Sequence, residues 1–142
     1  MASIDILSLP HNNRKLNTDE SKELFGKLYE NWGFDGNYWE PSKSKNEIIF
    51  LMDKFITKND EQMIIECILK HYNTFFTVDE NYICYETKTL DFERDETFYT
   101  NKNCTWFIFI SNDSYIAFGG KVLKTIKELF FNRREQINKY EL

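Results

Sequence analysis

Apolar positions change period along the chain, and the changes divide it into elements. From Thr18 or Asp19 to about Asn31, Leu24, Phe25 and Leu28 recur at helical spacing, and Gly33 follows where a helix would end. Gly26 inside this stretch weakens a helix by ~1 kcal/mol relative to Ala. Ahead of it, residues 4–9 read as a short strand closed by Pro10. Ser44 and Glu47 stand in capping-box spacing, and Ile48, Leu51, Met52 and Phe55 follow at i, i+3, i+4 and i+7, which predicts a second helix. A third is expected after a cap at Asn59 or Asp60, with Met63, Ile64, Cys67, Ile68 and Tyr72 on one face.

After His71 the period shortens from 3.6 to 2. Residues 82–87 read as a strand, 91–96 as an acidic turn or strand end, and Phe98 and Tyr99 as the start of another strand. Residues 104–111 form the strongest strand, and Asn112 and Asp113 make the turn into residues 115–118. Gly119 and Gly120 would break that strand before a last amphipathic helix over 121–140, with Val122, Leu123, Ile126, Leu129, Phe130 and Ile137 inward. The predicted fold is therefore α+β: N-terminal helices, an antiparallel meander in the middle and second half, and a closing C-terminal helix.

Composition supports one domain over residues 1–142. Of 142 residues 42% are hydrophobic and 17% aromatic, too many for a disordered chain. Residues 1–9 lack a basic segment followed by an apolar one, and no apolar run reaches membrane-spanning length, so a cytoplasmic protein without a membrane partner is expected. Three widely spaced cysteines, Cys67, Cys84 and Cys104, match neither a disulfide framework nor a metal motif.

Charge is uneven. The net value is −5, but residues 61–100 carry 9 acidic and 3 basic groups, whereas residues 101–142 carry 4 and 7. An acidic chain is a poor ligand for nucleic acid, and the basic residues of the last helix read as its solvated side. The carboxylates between Asp79 and Glu96 lack the frame of a calcium loop; they read either as a charged sheet edge or as a docking face for a basic protein.

Catalytic patterns are sparse. His71 ends a predicted helix, where a cation complements the dipole, and His11 stands in a polar loop. Ser111, His71 and Asp113 contain the residue types of a triad, but no nucleophile elbow accompanies them. Cys84 and Cys104 fall in apolar runs and read as small core residues. Gly119, Gly120 and Lys121 lack the frame of a phosphate loop. Neither a cofactor nor a metal is expected. The loop holding Trp32, Phe34, Tyr38 and Trp39 is rich in turn residues, so its rings either fold onto the core or serve as interface anchors.

Together, the acidic 79–96 segment, the loop from Trp32 to Trp39 and the strand at 106–111 leading to Phe118, Gly119 and Gly120 give the chain a character that resembles bacterial immunity proteins of polymorphic or contact-dependent toxins. The resemblance implies a non-enzymatic inhibitor that binds a cognate toxin, often a basic nuclease, tightly and stoichiometrically. On this expectation Asp91, Glu93, Asp95 and Glu96 supply charge, while Trp32, Tyr38 and Trp39 supply apolar anchors. The alternative is a small-molecule-binding or hydrolytic domain, with a pocket at the aromatic loop and His71 as base. A scaffold without one tight partner is a third reading.

Overall fold

The computed structural model describes residues 13–34, 45–93 and 96–139. The expected strand at 4–9, together with His11, Tyr38, Trp39 and Asp95, lies outside them.

Among the described residues seven strands form one sheet in which every pairing is antiparallel: β1 (Arg14–Lys15), β2 (Ile48–Met52), β3 (Phe75–Val78), β4 (Cys84–Thr87), β5 (Thr97–Thr100), β6 (Trp106–Ile110) and β7 (Tyr115–Gly120). Their order is β1-β4-β3-β5-β6-β7-β2. Among the described residues the α-helices are α1 (Thr18–Trp32), α2 (Lys58–His71) and α3 (Leu123–Leu129). The fold is α+β, as the periodicity predicts.

Alternation along the strands creates two cores. On β6, Trp106, Ile108 and Ile110 pack with Ile64 and Ile68 of α2 and Leu123 and Ile126 of α3. Phe107 and Phe109 face the other way, toward Leu24, Leu28 and Trp32 of α1. β7 divides likewise, with Ile116 and Phe118 on the α2/α3 side and Tyr115 and Ala117 on the α1 side. Successive strand side chains point to opposite faces, so a sheet covered on both sides needs apolar residues at every position.

That requirement explains the largest departure from the expected elements. Residues 48–52 are a strand, not a helix, and only Asp53–Phe55 turns, as one 3-10 segment. Ile49 and Leu51 point to one core, while Ile48, Phe50 and Met52 pack with the other. An unbroken run of five apolar residues satisfies both periods, and neighbouring Ile and Phe favour the strand. Ser44 of the expected capping box lies outside the described residues, and the Glu47 carboxylate meets Lys127 at 2.9 Å.

Helix α1 starts at a capping box: Asn17 accepts from the Glu20 backbone N–H, and Glu20 Oε1 accepts from that of Asn17. Gly33 ends it in the left-handed conformation, at φ 75°. Helix α2 is capped by Thr57, not Asn59 or Asp60, with Asp60 completing the box. His71 closes its last turn, as expected.

The C-terminal segment is not one helix over 121–140. Helix α3 covers seven residues and gives way to a 3-10 segment, Phe131–Gln136, broken at Arg133 (φ −134°, ψ 33°). Arg133 leaves helical geometry to form a two-pronged contact with Asp60, Nη1 to Oδ2 at 3.0 Å and Nη2 to Oδ1 at 2.9 Å, while its guanidinium lies 4.0 Å from the Phe130 ring centre. The expected inward residues survive this change: Val122, Leu123, Ile126 and Phe130 are buried, and Leu129 and Ile137 pack against the same core.

Gly119 and Gly120 do not break β7, which runs through both. A Cβ on Gly119 would sit 2.2 Å from the Phe107 ring, and one on Gly120 would sit 2.0 Å from Thr105 O. Gly120 also has φ 74°, so the pair lets the strand lie under an aromatic ring and then bend into α3.

Candidate functional site

The acidic segment is held as a structured turn against the start of α2. The Asp91 carboxylate accepts from the Glu93 backbone N–H at 2.9 Å, a local turn bond typical of Asp. Tyr99 fixes the same residue from β5: its hydroxyl donates to Asp91 O at 3.2 Å and accepts from Asp91 N–H at 3.1 Å. The burial of Leu90 and Phe92 beneath the turn leaves Asp91 half-buried and Glu93 exposed.

Two residues of α2 belong to this surface, and sequence reasoning missed both. Lys58 pairs with Glu93 and lies 3.5 Å from Glu61. The bond to Glu93 raises the Lys58 pKa and holds the ammonium charged. The Glu61 carboxyl is raised by partial burial, with Lys58 opposing the shift and Glu93 and Asp91 adding to it. Two carboxylates, Glu61 and Glu93, thus share one ammonium, and Asp91 adds its negative charge to the field at Glu61. The expected cap at Asn59 or Asp60 leaves Lys58 outside the helix, whereas the actual cap at Thr57 puts Lys58 and Glu61 in its first turn, facing a partner turn distant in sequence.

Glu96 has a different task. Its Oε1 accepts from the Asn112 backbone N–H at 3.0 Å, tying the start of β5 to the β6–β7 turn. Its backbone is left-handed, at φ 47°. Of the four acidic residues named from sequence, Asp91 and Glu93 gather beside α2, Glu96 stands at the sheet end, and Asp95 lies outside the described residues.

Trp32 belongs to the core. It is 5% exposed, its indole N–H donates to Cys104 O at 3.0 Å, and its ring meets Phe107 edge-on at 4.8 Å. Asn31 reaches the same carbonyl at 3.1 Å, so the end of α1 is clasped to the β5–β6 turn. Of the two readings of this aromatic, folding onto the core holds, and its ring offers no surface anchor. Phe34 is buried too, its ring parallel to that of Phe25 and tilted against that of Phe98.

No family model matches this chain, and neither a curated protein nor a solved structure is significantly similar to it. Its own residues therefore carry the functional reading.

The enzyme-like combinations do not assemble. Trp32 packs on the α1 side of the sheet and His71 ends α2 on the other, so this indole and the imidazole do not share a pocket. Ser111 is buried beyond the far end of β6, where its hydroxyl accepts from the Asp113 N–H at 3.0 Å. Trp106, which lines the same cleft as His71, is roughly 17 Å from there along the strand. Among the described residues no group of three or more His, Cys, Asp or Glu is placed to hold a metal. Nor is any helix among them long and apolar enough to cross a membrane.

Proposed function

We propose that this chain is a protein-binding domain of the immunity type, neutralising a basic partner through the acidic surface where the turn at Asp91 and Glu93 meets α2. The observation that carries the reading is Lys58 held between Glu61 and Glu93, with the Asp91 charge acting on Glu61 as well. The Glu61 carboxyl, raised by burial with Glu93 and Asp91 adding to it, ionises more readily when a further cation arrives, so a basic side chain binds and the surface sheds protons together. Asp95, Tyr38 and Trp39 remain candidates for the same contact by sequence; Trp32 does not, because it is buried.

The test is capture from native-host extract at low and high salt, with the wild type and with Glu93→Lys/Asp95→Lys. A single basic protein held stoichiometrically, weakened by salt and by the double variant, is the expected result. Binding to the identified partner should also strengthen as pH rises through the carboxylate range. A tight partner indifferent to salt, pH and charge reversal would remove this surface from the interaction.

A further inference from the structure

On the side of the sheet opposite α1, a cleft of about 430 Å³ lies between the end of α2 and the corner where β7 leads into α3. That volume falls within the range of small-molecule sites. Its floor is Trp106, which is fully buried, and Ile68, Tyr72 and Val122 give it apolar walls. The Tyr72 and Phe75 rings brace the indole at centroid distances of 5.5 and 6.0 Å.

The polar groups share one sense. Lys121, Lys124 and His71 are exposed at the mouth, and no carboxylate lines the cleft. Cys67 Sγ and Thr125 Oγ1 satisfy one another at 3.0 Å. The Trp106 indole N–H, a donor only, has no partner among the described residues, whereas the indole of Trp32 is satisfied by a carbonyl. A buried donor left unpaired is uncommon in folded proteins and calls for an explanation. Helix α2 ends at this cleft with a partial charge near −0.5, which two ammonium groups outweigh.

We infer that this cleft binds a small organic anion: a flat apolar body bearing one carboxylate or phosphate. The body lies between Ile68, Tyr72 and Val122, the anionic group meets Lys121 and Lys124, and an acceptor atom of the ligand takes the Trp106 N–H as the floor adjusts to it. This site is separate from the acidic surface and does not depend on it.

The experiment follows the indole N–H resonances by NMR, with that of Trp106 assigned through Trp106→Phe. Benzoate, phenyl phosphate, inorganic phosphate and neutral benzyl alcohol are titrated in turn. The expected result is a saturable shift of the Trp106 signal with benzoate or phenyl phosphate, while that of Trp32 stays in place. Which of the two binds more tightly identifies the anionic group. Lys121→Gln/Lys124→Gln, changed at exposed positions that leave the fold intact, should weaken binding roughly tenfold, the scale of a hydrogen bond to a charged group. An unmoved Trp106 signal with every probe would overturn the inference. So would a response to inorganic phosphate alone, an equal response to benzyl alcohol, or an unchanged affinity in the double lysine variant.

Discussion

Asp60 carries a charge with only 5% of its side chain exposed, and Arg133 and the Thr57 N–H meet it there. Burial alone would raise its carboxyl; the hydrogen bonds from Arg133 and Thr57 outweigh burial and bring it below the ordinary 3.8. Because the folded value lies under the unfolded one, the stabilisation is complete above pH 3.8 and disappears as pH falls through the folded value. Asp60→Asn strands Arg133, which is 31% exposed and partly rescued by water. A loss of about 1–3 kcal/mol in urea unfolding is expected, below the full figure for a wholly buried pair, and the acid limb of the stability curve should flatten. At Cys84 and Cys104 burial pushes the thiols up to about 11. Both should resist a disulfide reagent at pH 8 in the native protein, while half-buried Cys67 reacts first.

At the scale of elements, glycine has opposite value in two places. Nothing lies within 4 Å of a Cβ built on Gly26, in the middle of α1. Gly26→Ala should therefore stabilise by roughly 0.5–1 kcal/mol through helix propensity. Gly120→Ala meets a backbone oxygen and a positive φ together, and should cost about 2 kcal/mol or more. Thermal unfolding of the two variants checks both signs. The sequence revealed α1 and α2 by their helical period, and the central strands by aromatic and β-branched runs bounded by turn residues. It concealed β2, because Ile48–Met52 is apolar throughout and only the presence of two cores decides its period. It also concealed β3, whose Phe75–Val78 follows the end of α2 after a three-residue connection and bears no turn glycine or proline. The kink at Arg133 could not be read locally, since the carboxylate that draws it out of the helix is Asp60. For the same reason Lys58 and Glu61 stayed hidden from the acidic site: proximity in space, not spacing in sequence, brings them there.

Across the whole molecule, the sheet is local at its centre and distant at its borders. Strands β5, β6 and β7 follow one another through short turns, whereas β1 pairs with β4 and β2 with β7 half a chain length away. The outer side of β2 is closed by Asn138, whose backbone N–H donates to Phe50 O at 2.9 Å and whose Oδ1 accepts from Phe50 N–H at 2.8 Å. Hydrogen exchange should be slowest in β6 and faster at the borders, and Asn138→Ala should release the Phe50 amide while leaving β6 unchanged. The same layout has a consequence during synthesis. Residues 48–52 leave the ribosome long before the strand that receives them, so the nascent chain must carry Ile-Ile-Phe-Leu-Met unpaired until Gly119 has emerged. Slow translation of residues 53–120 would prolong that interval, making elongation rate and chaperone supply the factors that set the yield of folded protein.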